Sequence, residues 1–338
     1  MSLSPYERCF VLDGVEQDCR VDGRGRLDYR SMTLQLGTSP QASGSARVRL
    51  GNTDVMVAVK CDIGVPPREH PTHGRLSCSV ELSASADVKY EGRGGDSLAN
   101  ELTKALERTL LGASSGGAAS LSAVGAGERG GGNPGWVSTH GAGSALDMSK
   151  LGIQHGKTSW VLQCDALVLS DDGAVLDALS VAMKAALADT KIPKVTSVAG
   201  PNPDDPQELE LDDDPELCSR LDVSGVPLIV TLYKIGERLI CDASVDEIEC
   251  SSSGIAVAVD SDSQIRGVTQ VNSGDFSWDS TGSNSPGLGL STLRLVLKTA
   301  RDVGCELQKA VDAFLAGATS GTGESDDEEE ETEEDMEQ

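Results

Sequence analysis

In four runs between Ser31 and Ser85 the apolar residues fall on every second position, a spacing that restricts those runs to extended structure. In "LSCSVELSAS" (76–85), Leu76, Cys78, Val80, Leu82 and Ala84 alternate with Ser and Glu. This is the period of a strand with one buried face. "TDVMVAVKC" (53–61) places Val55, Val57, Val59 and Cys61 on one face in the same way, and "SMTLQL" (31–36) and "SARVRL" (45–50) give two further strands. Gly51-Asn52, between two apolar runs, predicts a tight hairpin. Four strands joined by short turns predict an antiparallel sheet.

Beyond Ala84 the period lengthens. Leu98, Leu102, Ala105, Leu106 and Leu110 form one stripe, which predicts a helix over about 97–111 with Asp96 as its cap. Residues 112–145 are Gly, Ser and Ala with almost no large apolar side chain, the composition of a flexible insertion. "SWVLQCDALVLS" (159–170) reads as a strand buried on both faces. "DDGAVLDALSVAMKAALADT" (171–190) reads as an amphipathic helix, and "VPLIVTLYKIGERLICDAS" (226–244) as a hairpin through Gly236. Strands near 255–259 and 265–271 follow, then a helix at about 288–316 bearing Leu293, Leu297, Ala300, Leu307, Val311 and Phe314. Strand sets closed by helices predict an α+β fold of two similar halves. The first half spans 1–111 and the second 146–317, separated by the insertion and followed by an acidic disordered tail, 318–338.

Aromatic residues make up only 3% of the chain, so its core must come from Val, Leu, Ala and Ile. Charge is unevenly spread. Residues 1–110 carry 14 basic and 15 acidic side chains, whereas the rest carries 14 against 39. A surface meant for an anionic partner therefore belongs in the first third. No apolar run approaches the ~18 residues of a membrane span, and the first thirty residues lack a hydrophobic leader. Nine cysteines without a CxxC pair are expected as reduced thiols of a cytosolic or nuclear protein.

Several short motifs carry possible chemistry. "GDSL" (95–98) matches the serine motif of an ester hydrolase family, with Ser97 as nucleophile. That chemistry needs a histidine base late in the chain, and the last histidine here is His155. "EGRGGD" (91–96) feeds a helix N-terminus where backbone N–H groups and Arg93 could receive a phosphate; a capped turn is the alternative. His70 and His73 in "HPTH" lack the further ligands of a metal site. Arg20, Arg24, Arg26 and Arg30 are interleaved with Asp18, Asp22 and Asp28. Because the acids nearly cancel the arginines, structural or subunit contact is favoured over direct phosphate binding.

Five co-linear blocks resemble the RNase PH-like subunits of the RNA exosome. They are "RVDGRGRLDYR" (20–30), "SGSARVRLGNTDVMVAVKCDIGVP" (43–66), "ELSASADVKYEGRGGD" (81–96), "WVLQCDALVLSDDGAVLDALSVAMKAAL" (160–187) and "VPLIVTLYKIGERLICDAS" (226–244). The resemblance implies an RNase PH-like fold of two βαβα-like halves and a place in a hetero-hexameric ring of related subunits. It further implies S1/KH-type cap subunits on one face, RNA threading the central pore, and a nuclear, nucleolar and cytoplasmic setting without a cofactor. Active relatives degrade RNA with phosphate, using clustered arginines and an acidic pair spaced D-x5-D after the hairpin strand. Asp242 matches the first acid. Ile248 stands where the second belongs, with Glu247 and Glu249 beside it, and on a strand that slip would turn the carboxylate to the opposite face. The region around 125–135, near a second phosphate-binding loop of active members, is low-complexity. The resemblance thus implies a structural, non-catalytic ring subunit supporting 3′-to-5′ processing and turnover of RNA. An active phosphorolytic exoribonuclease and the "GDSL" hydrolase are the alternatives.

Overall fold

The computed structural model describes residues 3–68, 70–111, 146–198, 208–212, 217–271 and 289–321. The insertion at 112–145 and the tail from 322 lie outside the described residues. Helix α1 (Pro5–Glu16) comes first, closed by a capping box. The Ser4 hydroxyl accepts from the Glu7 N–H, and the Glu7 carboxylate accepts from the Ser4 N–H at 2.7 Å. The apolar pattern does not announce this helix, because it buries only Val11 and Val15 while Tyr6 and Phe10 stay exposed.

Strands β1 (Met32–Leu36), β2 (Gly44–Leu50) and β3 (Thr53–Gly64) form an antiparallel meander, turning at Gly51 with φ 59°. The next strand departs from the expected all-antiparallel order. Strand β4 (Arg75–Leu82) does not pair with β3. Between them runs β6 (Thr158–Ser170), antiparallel to β3 and parallel to β4, with β5 (Gly152–Gln154) hydrogen-bonded to β6. The first sheet, ordered β1-β2-β3-β6-β4, thus draws strands from both sides of the 112–145 segment. Strand β6 is also buried on one face rather than two. Leu162, Cys164, Ala166 and Val168 point inward, while Gln163 and Asp165 are exposed. Those two polar residues carry a period-2 pattern inside the apolar run.

Helix α2 (Asp96–Leu111) packs its Leu102–Leu106–Leu110 stripe against β4. Asp96 is the helix's first residue and not its cap; the Gly95 carbonyl accepts the first helical bond, from the Ala99 N–H at 2.8 Å. Helix α3 (Val175–Asp189) lies against β2 and β3, and its residues from Leu176 to Leu187 are all buried. Two small pairs follow: β7 (Lys191–Ile192) with β10 (Ser219–Arg220), and β8 (Val195–Val198) with β9 (Glu208–Leu211). The second sheet comprises β11 (Leu228–Ile235), β12 (Arg238–Cys241), β13 (Ser253–Val259) and β14 (Ile265–Val271), ordered β12-β11-β13-β14 and antiparallel throughout. Its hairpin turns at Gly236, as the sequence suggests. Strand β11 also contacts α3, which therefore serves both sheets as a shared core layer. Helix α4 (Val245–Cys250) links β12 to β13, and α5 (Leu290–Gly321) packs on β11 and β13. Lys184 of α3 has a fully buried side chain and reaches Asp312 of α5 at 2.5 Å. Among the described residues no helix is long and apolar enough to cross a membrane.

Candidate functional site

The arginine cluster and Asp242, more than 200 residues apart in sequence, meet where the N-terminal segment crosses the end of β12. Asp242 follows the last residue of β12 with φ 48°, and its side chain has no exposed surface. Its carboxylate accepts four donors. Arg30 supplies its backbone N–H at 2.7 Å, Nε at 3.0 Å and Nη2 at 2.8 Å, and Arg24 supplies Nη1 at 2.8 Å. Arg30 continues to the Asp172 carboxylate and carbonyl and to the Gly173 carbonyl. A carboxylate has about four lone-pair sites, so all those of Asp242 are occupied by its two arginines.

Arg20 forms the second half of the cluster. Its Nε and Nη2 grip the two oxygens of Glu247 at 2.8 and 2.5 Å, while Nη1 and Nη2 donate to the carbonyls of Cys241 and Asp242. Both side chains are buried. Such a bidentate pair is strong because two parallel charge-assisted bonds share one geometry. Arg24 also pairs with Asp22, and Arg26 with Asp18, both on the surface. Asp28 instead accepts the Gly25 N–H. So two of the interleaved acids make local ion pairs, and the longest reaches run to Asp242 and Glu247.

Residues 245–250 are helical, which corrects the strand-based comparison of Glu247, Ile248 and Glu249. On a helix one step turns a side chain by about 100° rather than 180°. Glu247 turns inward to Arg20, and Ile248 packs beside Val15, Tyr233, Ile240 and Ala243. Glu249 accepts the Leu3 N–H at 3.1 Å. The cause lies in Ser244, which begins a capping box whose Glu247 carboxylate reaches back to the Ser244 N–H at 2.9 Å. An S-x-x-E step in "CDASVDEIEC" signals that helix.

A second carboxyl lies beneath this cluster and escapes sequence reasoning. Asp177, in the first turn of α3, accepts from the Tyr29 hydroxyl at 3.0 Å, the Thr231 N–H at 3.0 Å and the Thr231 hydroxyl at 2.5 Å. Burial pushes its pKa up to about 7 against the lowering effect of the Thr231 donors, and the nearby Asp242 charge adds to the rise.

The first third of the chain also contributes a polar groove of about 890 Å³ between α2 and the open edge of β14. Ser97, Asn100, Glu101, Lys104 and Arg108 line one wall, and Val268, Thr269 and Gln270 the other. Neither Lys104 nor Arg108 is in a salt bridge among the described residues. Their i, i+4 spacing on the polar face of α2 is the sequence signal that could have singled them out. Arg93 is exposed in the turn before α2 and lies outside this lining. Ser97 lines the groove, and no histidine is among the described residues that line it. The rings of His70 and His73 lie 5.0 Å apart and tilted by 54° in a separate turn. Among the described residues no group of three or more His, Cys, Asp or Glu is arranged to hold a metal ion.

Comparison with known proteins gives this geometry a family. The model of the 3′ exoribonuclease family matches its domain 1 to residues 28–193 and its domain 2 to residues 225–280. A Dictyostelium discoideum protein named putative exosome complex exonuclease RRP42 is 31% identical, covering 93% of this chain and 98% of its own length. Exosome complex component Rrp42 of Thermococcus gammatolerans is 31% identical over 79% of this chain and 84% of that one. The fold is shared with a chain of the Archaeoglobus fulgidus exosome solved with RNA bound to the active site. There the TM-score is 0.64 at 23% identity, covering 90% of this chain and 97% of that one. Both sheets fall within the matched regions, from Asp28 to the end of β14, and this chain belongs to the RNase PH-type 3′ exoribonuclease family.

Proposed function

We propose that this chain is a non-catalytic subunit of a hexameric exosome ring, built with other RNase PH-like subunits and S1/KH-type caps. In that ring it guides RNA through the groove between α2 and β14 in the nucleus, nucleolus and cytoplasm. One observation carries the catalytic half of the reading. Asp242, at the position of the first family acid, is buried and filled by Arg24 and Arg30, and Ile248 offers neither a proton nor a metal ligand. A general acid must reach the reacting atoms within hydrogen-bond distance, and Asp242 could do so only by breaking its arginine pairs. The exosome names of the relatives support the assembly, and Lys104 and Arg108 supply the charge that a passing phosphodiester requires.

The isolated chain, given 3′-labelled RNA and inorganic phosphate, is expected to release no nucleoside diphosphate. Robust release that disappears on Asp242→Ala would overturn the non-catalytic reading. In the reconstituted ring, Lys104→Glu with Arg108→Glu should weaken RNA binding on the order of tenfold at low salt and flatten its salt dependence. Arg93→Glu tests the neighbouring turn in the same assay. Unchanged affinity in a ring whose mass is intact would remove the groove from the RNA path.

A further inference from the structure

Strand β1 ends the first sheet and pairs only with β2 among the described residues. The Ser31 carbonyl accepts the Gly51 N–H at 3.0 Å, and the Gly37 N–H donates to the Ser45 carbonyl at 2.9 Å. Hydrogen-bonded positions recur at every second residue of an antiparallel ladder, so Thr33 and Gln35 also turn their backbone groups toward β2. Met32, Leu34 and Leu36 therefore aim their N–H and C=O groups away from the sheet, and no described residue takes them. Such an edge invites pairing with another chain, and charged side chains are the usual guard. The outer strands β4, β12 and β14 carry that guard in Arg75 and Glu81, in Arg238 and in Arg266. Strand β1 carries none. From Ser31 to Ala46 the chain has no charged side chain, although 24% of its residues are charged.

Beside this edge lies an apolar groove of about 730 Å³ between β1 and α5. Met32 and Leu34 line it from the strand, and Leu307, Val311 and Phe314 from one face of the helix. Leu27 and Phe314 stay exposed there, at 41% and 44%. A strand added to β1 lies roughly 4.8 Å farther out, with every second side chain on the groove's side. We propose that a neighbouring RNase PH-like subunit pairs an extended segment with β1 and seats its alternate apolar side chains in this groove. This contact presupposes the ring assembly proposed above and assigns one of its faces. In a closed ring each subunit meets its two neighbours through different faces, and β1 stands at the opposite end of the first sheet from β4 and α2. Backbone bonds along the edge supply affinity, and the groove selects the alternate side chains. Glu306, exposed on the groove wall, favours a lysine or arginine on the incoming segment.

The test is assembly of the full chain with the other RNase PH-like subunits, read by native mass and by amide hydrogen exchange. Ala310→Glu puts a charge into the groove from an exposed position on α5. Leu34→Pro removes one outward N–H and spares the bonds to β2. Each variant, folded as its melting curve shows, should join the ring with an affinity weakened on the order of tenfold or more. In the parent, the Met32, Leu34 and Leu36 amides should exchange on the order of tenfold more slowly in the ring than in the isolated chain. Lys104→Glu with Arg108→Glu, at the other end of the sheet, should leave assembly unchanged. A parent ring that both variants join as readily as the parent, or in which those three amides exchange at their isolated rate, would overturn the β1 contact and leave the ring reading standing. A parent that joins no ring with those subunits would overturn both.

Discussion

Replacing Arg20 with methionine is expected to destabilise the fold by about 3–5 kcal/mol, because it strands a buried carboxylate. Glu247 would keep one donor, the Ser244 N–H, and lose both guanidinium bonds. The carbonyls of Cys241 and Asp242 would lose their Arg20 donors at the same time. Removing both charges is a different case. Arg20→Met with Glu247→Leu leaves no ion to desolvate, so the double variant should recover much of the loss. Urea midpoints with an unchanged m-value would measure both effects. A loss below about 1 kcal/mol in the single variant would mean that water reaches Glu247. A double variant no more stable than the single would place the cost in the carbonyl bonds instead.

This cluster also shows where sequence reasoning works and where it stops. The hairpin at Gly51 and the one at Gly236 were legible because their turns and alternations are local. The position of β6 was not, since a strand's neighbours are chosen by contacts across the whole sheet; β3 and β4 each fit an antiparallel meander until β6 inserts between them. Arg20 to Arg30 stood out as a charged run, yet their partners Asp242 and Glu247 lie more than 200 residues away. Adjacent aspartates offered plausible nearer partners, and only Asp22 and Asp18 proved to be such. Burial decided between the two sets, because a guanidinium beneath the surface must satisfy its donors with whatever the fold brings there. Asp177 was invisible for a related reason. It occupies a helical position in an apolar stretch, and nothing local marks it as a carboxyl that must be hydrogen-bonded from two other elements.

Asp177 should make the fold less stable as pH rises through neutrality. In the unfolded chain an aspartate releases its proton near pH 3.9, whereas in the folded chain burial lifts the pKa to about 7. Between those values the folded state binds the extra proton, so the free energy of unfolding falls with increasing pH. The contribution is fully present below about pH 4 and is lost on passing pH 7, a total of up to about 4 kcal/mol. Other carboxylates oppose this trend. Asp171 is held below its ordinary range by Tyr90 and Lys89, against the effect of its own burial, so it stabilises the fold as pH rises. The whole-protein curve therefore mixes signs, and a difference curve isolates the residue. In Asp177→Asn the amide oxygen can still accept from Tyr29 and the Thr231 N–H, while its N–H₂ can donate to the Thr231 hydroxyl. Relative to the parent, that variant should gain about 2 kcal/mol or more of stability between pH 5 and pH 8. A flat difference from pH 5 to 8 would show that Asp177 is ionised throughout, its charge held by the Tyr29 and Thr231 donors.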